Sequence, residues 1–113
     1  MGNTLIVRKC EGFSTLKKVA EVEFSTNIPT SQLYTTQTFN VQKSRKYIAV
    51  LTGQSQRSEI TGTPNILDGA NIESEVMSEN ISLYSHTKIA IVKATETKIT
   101  VRGYSGFAML FEI

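Results

Sequence analysis

Apolar side chains recur at every second position in one stretch of this sequence after another, and this spacing constrains the fold more than any other feature. In KKVAEVEFST, Ala20, Val22 and Phe24 alternate with Glu21 and Glu23. Successive side chains of a β-strand point to opposite faces of the sheet, so this pattern predicts a strand with one apolar and one wet face. Helical spacing is not sustained anywhere in the 113 residues.

Four further stretches extend the pattern and predict the fold class. QTFNVQ and TKITVR alternate in the same way, whereas KYIAVLTG and TKIAIVKA carry apolar side chains toward both faces, as in central strands that are covered on both sides. Segments rich in Ser, Thr, Asn, Gly and Gln separate these runs and predict loops. The sequence therefore predicts an all-β fold, a two-sheet antiparallel β-sandwich that is jelly-roll-like, with residues 1–113 as a single domain.

The passage ILDGANIE contains the turn signal Asp68-Gly69 between apolar residues. Asp-Gly between two strands is typical of the tight turn of a β-hairpin. We therefore expect a hairpin centred on these two residues.

The segment GFAMLFEI carries apolar side chains toward both faces of one strand. The larger side chains share one set of alternate positions and are expected to face the core: Phe107, Met109, Phe111 and Ile113. Ala108 and Leu110 occupy the other set and are expected to point outward. Because exposed apolar patches often mark contacts between subunits, Ala108 and Leu110 are the predicted oligomer interface.

Composition excludes several classes of protein. Cys10 is the only cysteine, so an intrachain disulfide is excluded, and no cluster of cysteine and histidine predicts a structural metal. A net charge of +2 does not predict nucleic acid as a partner. The start MGNTLIVRKC has too short an apolar run for a signal peptide, and no stretch approaches the ~20 apolar residues of a membrane span. We expect a soluble protein with no membrane partner and no cofactor.

Charge is unevenly distributed along the chain. Between Ser58 and Thr87 there are five acidic side chains and no Lys or Arg. The basic side chains that follow are Lys88, Lys93, Lys98 and Arg102. Two explanations remain open: these are solvated faces of neighbouring strands, or an acidic surface on one copy meets a basic surface on the next.

The sequence offers no convincing catalytic group. His86 is the only histidine and lies in LYSHTK without a nucleophile or acid pattern beside it. Glu73 and Glu75 would share one face of a strand, but nothing apolar or aromatic frames them for acid–base work. NILDGANIESE lacks the regular acid spacing of a calcium loop. We therefore expect a protein that is not an enzyme and holds no metal.

One polar loop is a candidate ligand site. TGQSQRSEITGT contains Ser55, Gln56 and Arg57, whose donors can hold phosphate or sugar hydroxyls. Tyr34 and Tyr84 lie in polar contexts and can offer flat platforms for sugars or bases. These five residues are the predicted ligand-binding set, with an ordinary surface loop as the alternative.

Two resemblances involve the second part of the chain. KSRKYIAVLTG and EITG, followed by YSHTKIAIVKATETKITVRGYSGFAMLFEI, resemble small β-sandwich proteins encoded by bacterial phages and prophages. The ending SGFAMLFEI is similar to the closing strand of trimeric jelly-roll modules of the tumour-necrosis-factor and complement-C1q type. In those modules the last strand lies at the centre of the inner sheet, near the threefold axis. The second resemblance implies a jelly roll and a trimer.

These resemblances imply a non-enzymatic structural or recognition module of phage or prophage origin. It would be made in the host cytoplasm, with virion association as a further expectation, and would form a homo-oligomer, a trimer before a dimer. Its polar loops would contact a phage particle or a host-surface glycan. The alternative is a soluble protein that sequesters a nucleotide or sugar in loops at a subunit boundary. The fold does not decide between the two.

Overall fold

Every regular element in the described part of the chain is a β-strand, as the two-residue periodicity predicts. The computed structural model describes residues 16–28, 34–54, 63–80 and 85–113. The strands are β1 (Lys17–Phe24), β2 (Thr35–Asn40), β3 (Lys46–Gln54), β4 (Asn65–Asp68), β5 (Ala70–Asn80), β6 (Ser85–Ala94), β7 (Lys98–Gly103) and β8 (Gly106–Glu112). Within these ranges no helix is long and apolar enough to cross a membrane.

The strands form two antiparallel sheets that face each other. The five-stranded sheet has the order β1-β8-β3-β6-β5, and the three-stranded sheet has the order β2-β7-β4. Strands from the beginning and end of the chain are neighbours in both sheets, and successive strands from β1 to β4 alternate between the sheets. This interleaving is that of a jelly roll, with β5 extending the larger sheet beside β6. The predicted jelly-roll-like sandwich is confirmed.

The core lies between the two sheets and takes one set of alternate side chains from each strand. The fully buried large side chains include Leu51, Val92, Ile99, Val101 and Leu110. On β6 the other face is not covered by the described residues, since Ile89 and Ile91 are 43% and 37% exposed. The expectation that β3 and β6 are covered on both faces is therefore not met for β6, because the three-stranded sheet packs on one side only.

The predicted orientation of β8 is wrong. Ala108 and Leu110 are 0% exposed and belong to the core, whereas Ile113 is 53% exposed. The half-buried side chains on the opposite face of β8 are Phe107, Met109 and Phe111. Ala108 and Leu110 therefore offer no surface to a second copy, and the predicted interface at these two residues is corrected.

Strand pairing explains why the smaller side chains of β8 face inward. Leu110 lies opposite Ala49 of β3 on one side and Ala20 of β1 on the other. Ala108 lies opposite Leu51 in the same way. Directly paired residues share a face, so the register with β3 decides which set of β8 is buried, whatever the size of its side chains.

Gly69 forms a corner between the sheets, and the predicted hairpin at Asp68-Gly69 is wrong. β4 pairs with β7 in one sheet and β5 pairs with β6 in the other, so the chain changes sheet at this residue. Gly69 has φ of 89°, and a Cβ there would overlap the carbonyl oxygen of Lys98. Strands that switch sheets turn through such bends. Asp68-Gly69 therefore correctly predicts a turn, but β4 and β5, on either side of it, pair with β7 and β6 and not with each other.

The two ends of the sandwich differ in their connections. At one end, which we call the turn end, residues 42–45 lie beside residues 95–97, and Ser44 N donates to Ala94 O at 2.8 Å. The opposite end, which we call the loop end, is marked by Gln54 opposite Ser85 and Thr35 opposite Gly103. The strands that flank residues 29–33, 55–62 and 81–84 all start or stop at the loop end.

The orientation of β8 predicts opposite outcomes for two neighbouring substitutions. Leu110→Glu places a carboxylate among fully buried apolar side chains and should cost more than about 4 kcal/mol, leaving little folded protein. Phe111→Glu changes a half-buried side chain on the face of β8 that points away from the core and should leave the sandwich folded, with a loss below about 2 kcal/mol. Urea unfolding followed by circular dichroism measures both. A folded Leu110→Glu variant would contradict the register.

The corner at Gly69 predicts a second contrast. Gly69→Ala combines an unfavourable positive φ with a backbone overlap and should lower the free energy of unfolding by about 3 kcal/mol or more. Ser44→Gly removes the strain of a non-glycine residue with φ of 73°. Its effect should stay within about 1 kcal/mol. Urea midpoints of both variants provide the test, and equal losses would argue against a sheet corner at Gly69.

Candidate functional site

The loop end of the sandwich carries a tyrosine–arginine pair. The guanidinium carbon of Arg102 on β7 lies 5.1 Å from the ring centroid of Tyr34, and its Nε donates to the carbonyl oxygen of Thr63 at 2.9 Å. Such a stack is a favourable cation–π contact. Tyr34 immediately follows residues 29–33 and Thr63 immediately follows residues 55–62. Arg102 therefore contacts Tyr34 and Thr63, the first described residues after these two connections.

A tight turn between β7 and β8 braces the same end. Gln54 N, at the last position of β3, donates to Tyr104 O at 2.7 Å. Gly106 lies so close to the Thr52 backbone that a Cβ would overlap its carbonyl oxygen. Ser105 N donates to Ser25 O at 3.4 Å on the far side of the turn. The strand ends from which the loop end is built are thus held by backbone contacts across three strands.

The structure describes one of the five predicted ligand-binding residues. Tyr34 is half-buried at the loop end, with Arg102 against its ring. Ser55, Gln56, Arg57 and Tyr84 lie outside the described residues. Ser55 directly follows Gln54, and Tyr84 directly precedes Ser85, which lies opposite Gln54. The strand ends that anchor these residues therefore lie at the same end as Tyr34.

A buried lysine on the inner face of β6 is the polar feature that sequence analysis missed. The Lys88 side chain is 7% exposed, and its Nζ lies 3.2 Å from a carboxylate oxygen of Glu75. Nζ also donates to Asn65 Oδ1 at 2.9 Å, and the same oxygen accepts from Ile66 N at 2.9 Å. This network joins the five-stranded sheet to β4 of the other sheet.

The strand pattern contained a signal for Lys88. In TKIAIVKA, Lys88 shares its set of alternate positions with Ala90 and Val92, both in the core. His86 belongs to the same set and is 5% exposed. Residue type alone groups Lys88 with the basic side chains that are expected at the surface. A lysine held by two acceptors links the sheets rather than serving as a free nucleophile.

Glu73 and Glu75 do not share a face, which corrects the prediction from their spacing. The register of β5 against β6 shifts between Ile72 and Ser74, so a bulge contains Glu73. The carboxylate of Glu73 reaches Lys46 at 3.1 Å, whereas that of Glu75 reaches Lys88. A bulge inserts one residue and so breaks the two-residue alternation. The two carboxylates are therefore not positioned as an acid–base pair.

These ion pairs also bear on the uneven charge along the chain. Two of the acidic side chains, Glu73 and Glu75, are paired with lysines of the same chain. Lys88, which begins the basic segment, is one of these lysines. Part of the acidic segment therefore meets its basic counterpart within one molecule, and any contact between copies must use other charges.

A shallow cleft lies at the turn end, away from the predicted ligand residues. Its volume is about 260 Å³, and it is lined by Val19, Asn40, Val41, Gln42, Tyr47 and Glu112. The Tyr47 hydroxyl accepts from Gln42 N at 2.9 Å, and Glu112 pairs with Arg45 at 2.8 Å. Ligand pockets are commonly about 300–1,000 Å³, so this cleft is small for one. Across residues 16–28, 34–54, 63–80 and 85–113, no three potential metal ligands group together.

No protein-family model matches the chain, and no curated protein or solved structure matches it either. These comparisons therefore assign no function to the chain.

The Lys88 network predicts that replacing Lys88 with an apolar side chain changes stability little, whereas truncating its neutral partner Asn65 destabilises the protein. Lys88→Met fills the same space without a charge and should change the free energy of unfolding by less than about 1.5 kcal/mol. Asn65→Ala leaves the buried ammonium with one acceptor fewer and should cost about 2 kcal/mol. Chemical unfolding of the two variants measures this difference. A larger loss for Lys88→Met than for Asn65→Ala would contradict it.

Proposed function

We propose that this protein is a non-enzymatic structural or recognition module that assembles with copies of itself and presents its loop end to a partner. One observation carries the proposal. The strands flanking residues 29–33, 55–62 and 81–84 all start or stop at the loop end. A β-sandwich with several connections at one end is a common arrangement for recognition, because the sheets hold the loops in place.

The partner class we propose is a glycan on a host surface, with a phage particle as the body that carries the module. Ser55, Gln56 and Arg57 supply hydroxyl, amide and guanidinium donors in one short segment. Tyr34 and Tyr84 supply aromatic rings, which stack well on sugar faces. The resemblance of the later strands to phage and prophage β-sandwich proteins supports the setting.

Two cations within the described residues are engaged in ways that favour a binding module over an enzyme. Lys88 is engaged by Glu75 and Asn65, and Arg102 is engaged by Tyr34 and Thr63. Such groups order the structure, whereas catalysis needs an acid, a base or a nucleophile facing a substrate. Recognition at the loop end needs only donors and flat rings.

A charge-matched pair of variants tests the proposed glycan site. Arg57→Ala removes one cation from the segment between β3 and β4, and Lys43→Ala removes one from the exposed turn end. On a panel of immobilised bacterial surface glycans, Arg57→Ala should weaken binding about tenfold, as expected when a charged hydrogen bond is lost. Lys43→Ala should leave the dissociation constant within about twofold.

Equal weakening by both variants would show non-specific attraction and contradict a site at the loop end. Native mass spectrometry of the freshly purified protein addresses the remaining alternative. A retained nucleotide or sugar mass would favour a sequestering protein over a recognition module. An oligomer without such a mass would support the module.

A further inference from the structure

The face of the five-stranded sheet that points away from the other sheet, which we call the outer face, is apolar at its centre. Strand pairing aligns its side chains in rows that cross the strands. One row consists of Val76, Ile89, Val50, Met109 and Glu21, from β5 to β1. The next row toward the turn end consists of Ser74, Ile91, Ile48, Phe111 and Lys18.

These apolar side chains are accessible in the described structure. Val76 is 65% exposed, Ile89 is 43% exposed and Ile91 is 37% exposed. An antiparallel sheet with one solvated face normally carries polar side chains there. Apolar residues scattered singly on a surface are ordinary, but a block that runs continuously across four strands marks a contact surface.

Charged side chains lie at two separate borders of this block. Lys46 and Lys93 are paired neighbours at the turn end of the outer face, and Glu21 and Glu23 lie along β1. Lys46 is already bound to Glu73, and Glu21 is bound to Lys18. Lys93 and Glu23 make no ion pair with any residue that the structure describes.

We propose that the outer face binds the outer face of a second copy, related by a two-fold axis that runs diagonally across the sheet. This inference rests on the self-assembly in the proposed function and names the surface that performs it. The strands of the two copies would cross at about 90°, which is one of the two usual ways in which sheets pack. Apolar rows from both copies would then cover each other.

The positions of Lys93 and Glu23 fit this axis. Relative to Val50, Lys93 lies one strand (~5 Å) to one side and four residues (~13 Å) toward the turn end. Glu23 lies two strands (~10 Å) to the other side and two residues (~7 Å) toward the loop end. A diagonal two-fold axis that passes over Val50 exchanges the direction along the strands with the direction across them. It therefore brings Lys93 of each copy onto Glu23 of the other, and this contact occurs twice.

The size of the outer face also fits a pair of copies. Five strands at ~4.8 Å spacing and the nine residues of β3 at ~3.3 Å each give a face of about 24 by 30 Å, or about 700 Å². Specific protein–protein interfaces bury about 800 Å² on each partner. A two-fold pair also differs from the trimer that the similarity of the closing strand implies, since each face meets an identical face.

Charge exchange between copies tests the proposed contact. Wild-type protein should sediment at twice its 12.5 kDa mass at micromolar concentration. Lys93→Glu alone and Glu23→Lys alone each create two like-charge contacts per pair, so each should raise the dissociation constant at least tenfold. An equimolar mixture of the two variants restores two opposite-charge contacts and should dimerise again. Only a contact between the two positions on different copies predicts this rescue.

A second pair of variants tests the apolar centre. Ile89→Glu should yield a folded monomer, whereas Leu67→Glu should remain a dimer, because Leu67 is 45% exposed on β4 and is not part of the outer face. Circular dichroism verifies that both variants are folded. The outer face is not the two-fold contact if the protein is a dimer whose dissociation constant is unchanged by the Lys93, Glu23 and Ile89 substitutions. A trimeric wild-type protein would also overturn the two-fold contact. Both results would leave self-assembly itself intact.

A wild-type monomer would contradict the self-assembly in the proposed function as well. Deletion of residues 1–15 separates one further case. If the full chain is monomeric and the shortened chain dimerises, that segment and not a second copy occupies the outer face, and the proposal is wrong.

Discussion

The pairing of β8 between β1 and β3 is the contact on which the rest of the structure depends. β8 hydrogen-bonds to β1 along one edge and to β3 along the other, so it joins β1, the first described strand, to the centre of the sheet. Its register buries Leu110 and Ala108 and turns Phe111 and Met109 to the outer face. Because these pairings link distant parts of the sequence, the larger sheet forms only after most of the chain is available. The register of β8 with its two neighbours therefore determines both which side chains form the core and which lie on the outer face.

The sequence predicts the strands well because alternation is a local property, and it predicts orientation only where the alternation includes charge. On β1, the charged Glu21 and Glu23 lie on the face away from the core, and Ala20 and Val22 are accordingly inward. On β8 both sets of positions are apolar, so the pattern itself is ambiguous, and side-chain size was a poor guide. The partner β3 has the same ambiguity, with Ile48 and Val50 as apolar as the set that is buried. Which set of side chains is buried on such strands is decided only by their pairing with one another and by their packing against the second sheet.

Single-residue events account for the other differences between sequence and structure. Gly69 has the φ that its turn signal predicts, but strand partners far along the chain determine that it joins two sheets. The bulge at Glu73 reverses the faces of residues 74–78 on β5 relative to simple alternation. At Lys88 simple alternation gives the correct result: it predicts that the side chain is buried, although a lysine is normally exposed. For the candidate site, the sequence identified suitable side chains, and strand topology added that their anchors meet at one end.

The proposed two-fold contact and the proposed loop-end site are compatible because they use different parts of the sandwich. On the loop-end side of the apolar rows, the next outer-face row is mostly polar, with Ser78, Thr87 and Thr52 in line, so the apolar contact ends before the loops begin. When the strands of two copies cross at about 90°, each loop end is tilted about 45° from the diagonal axis, and both point to the same side. A dimer would then direct two sites toward one surface. Weak binding of single sugars becomes strong when two linked sites engage a repeating glycan, so the proposed assembly would have a direct role in the proposed recognition.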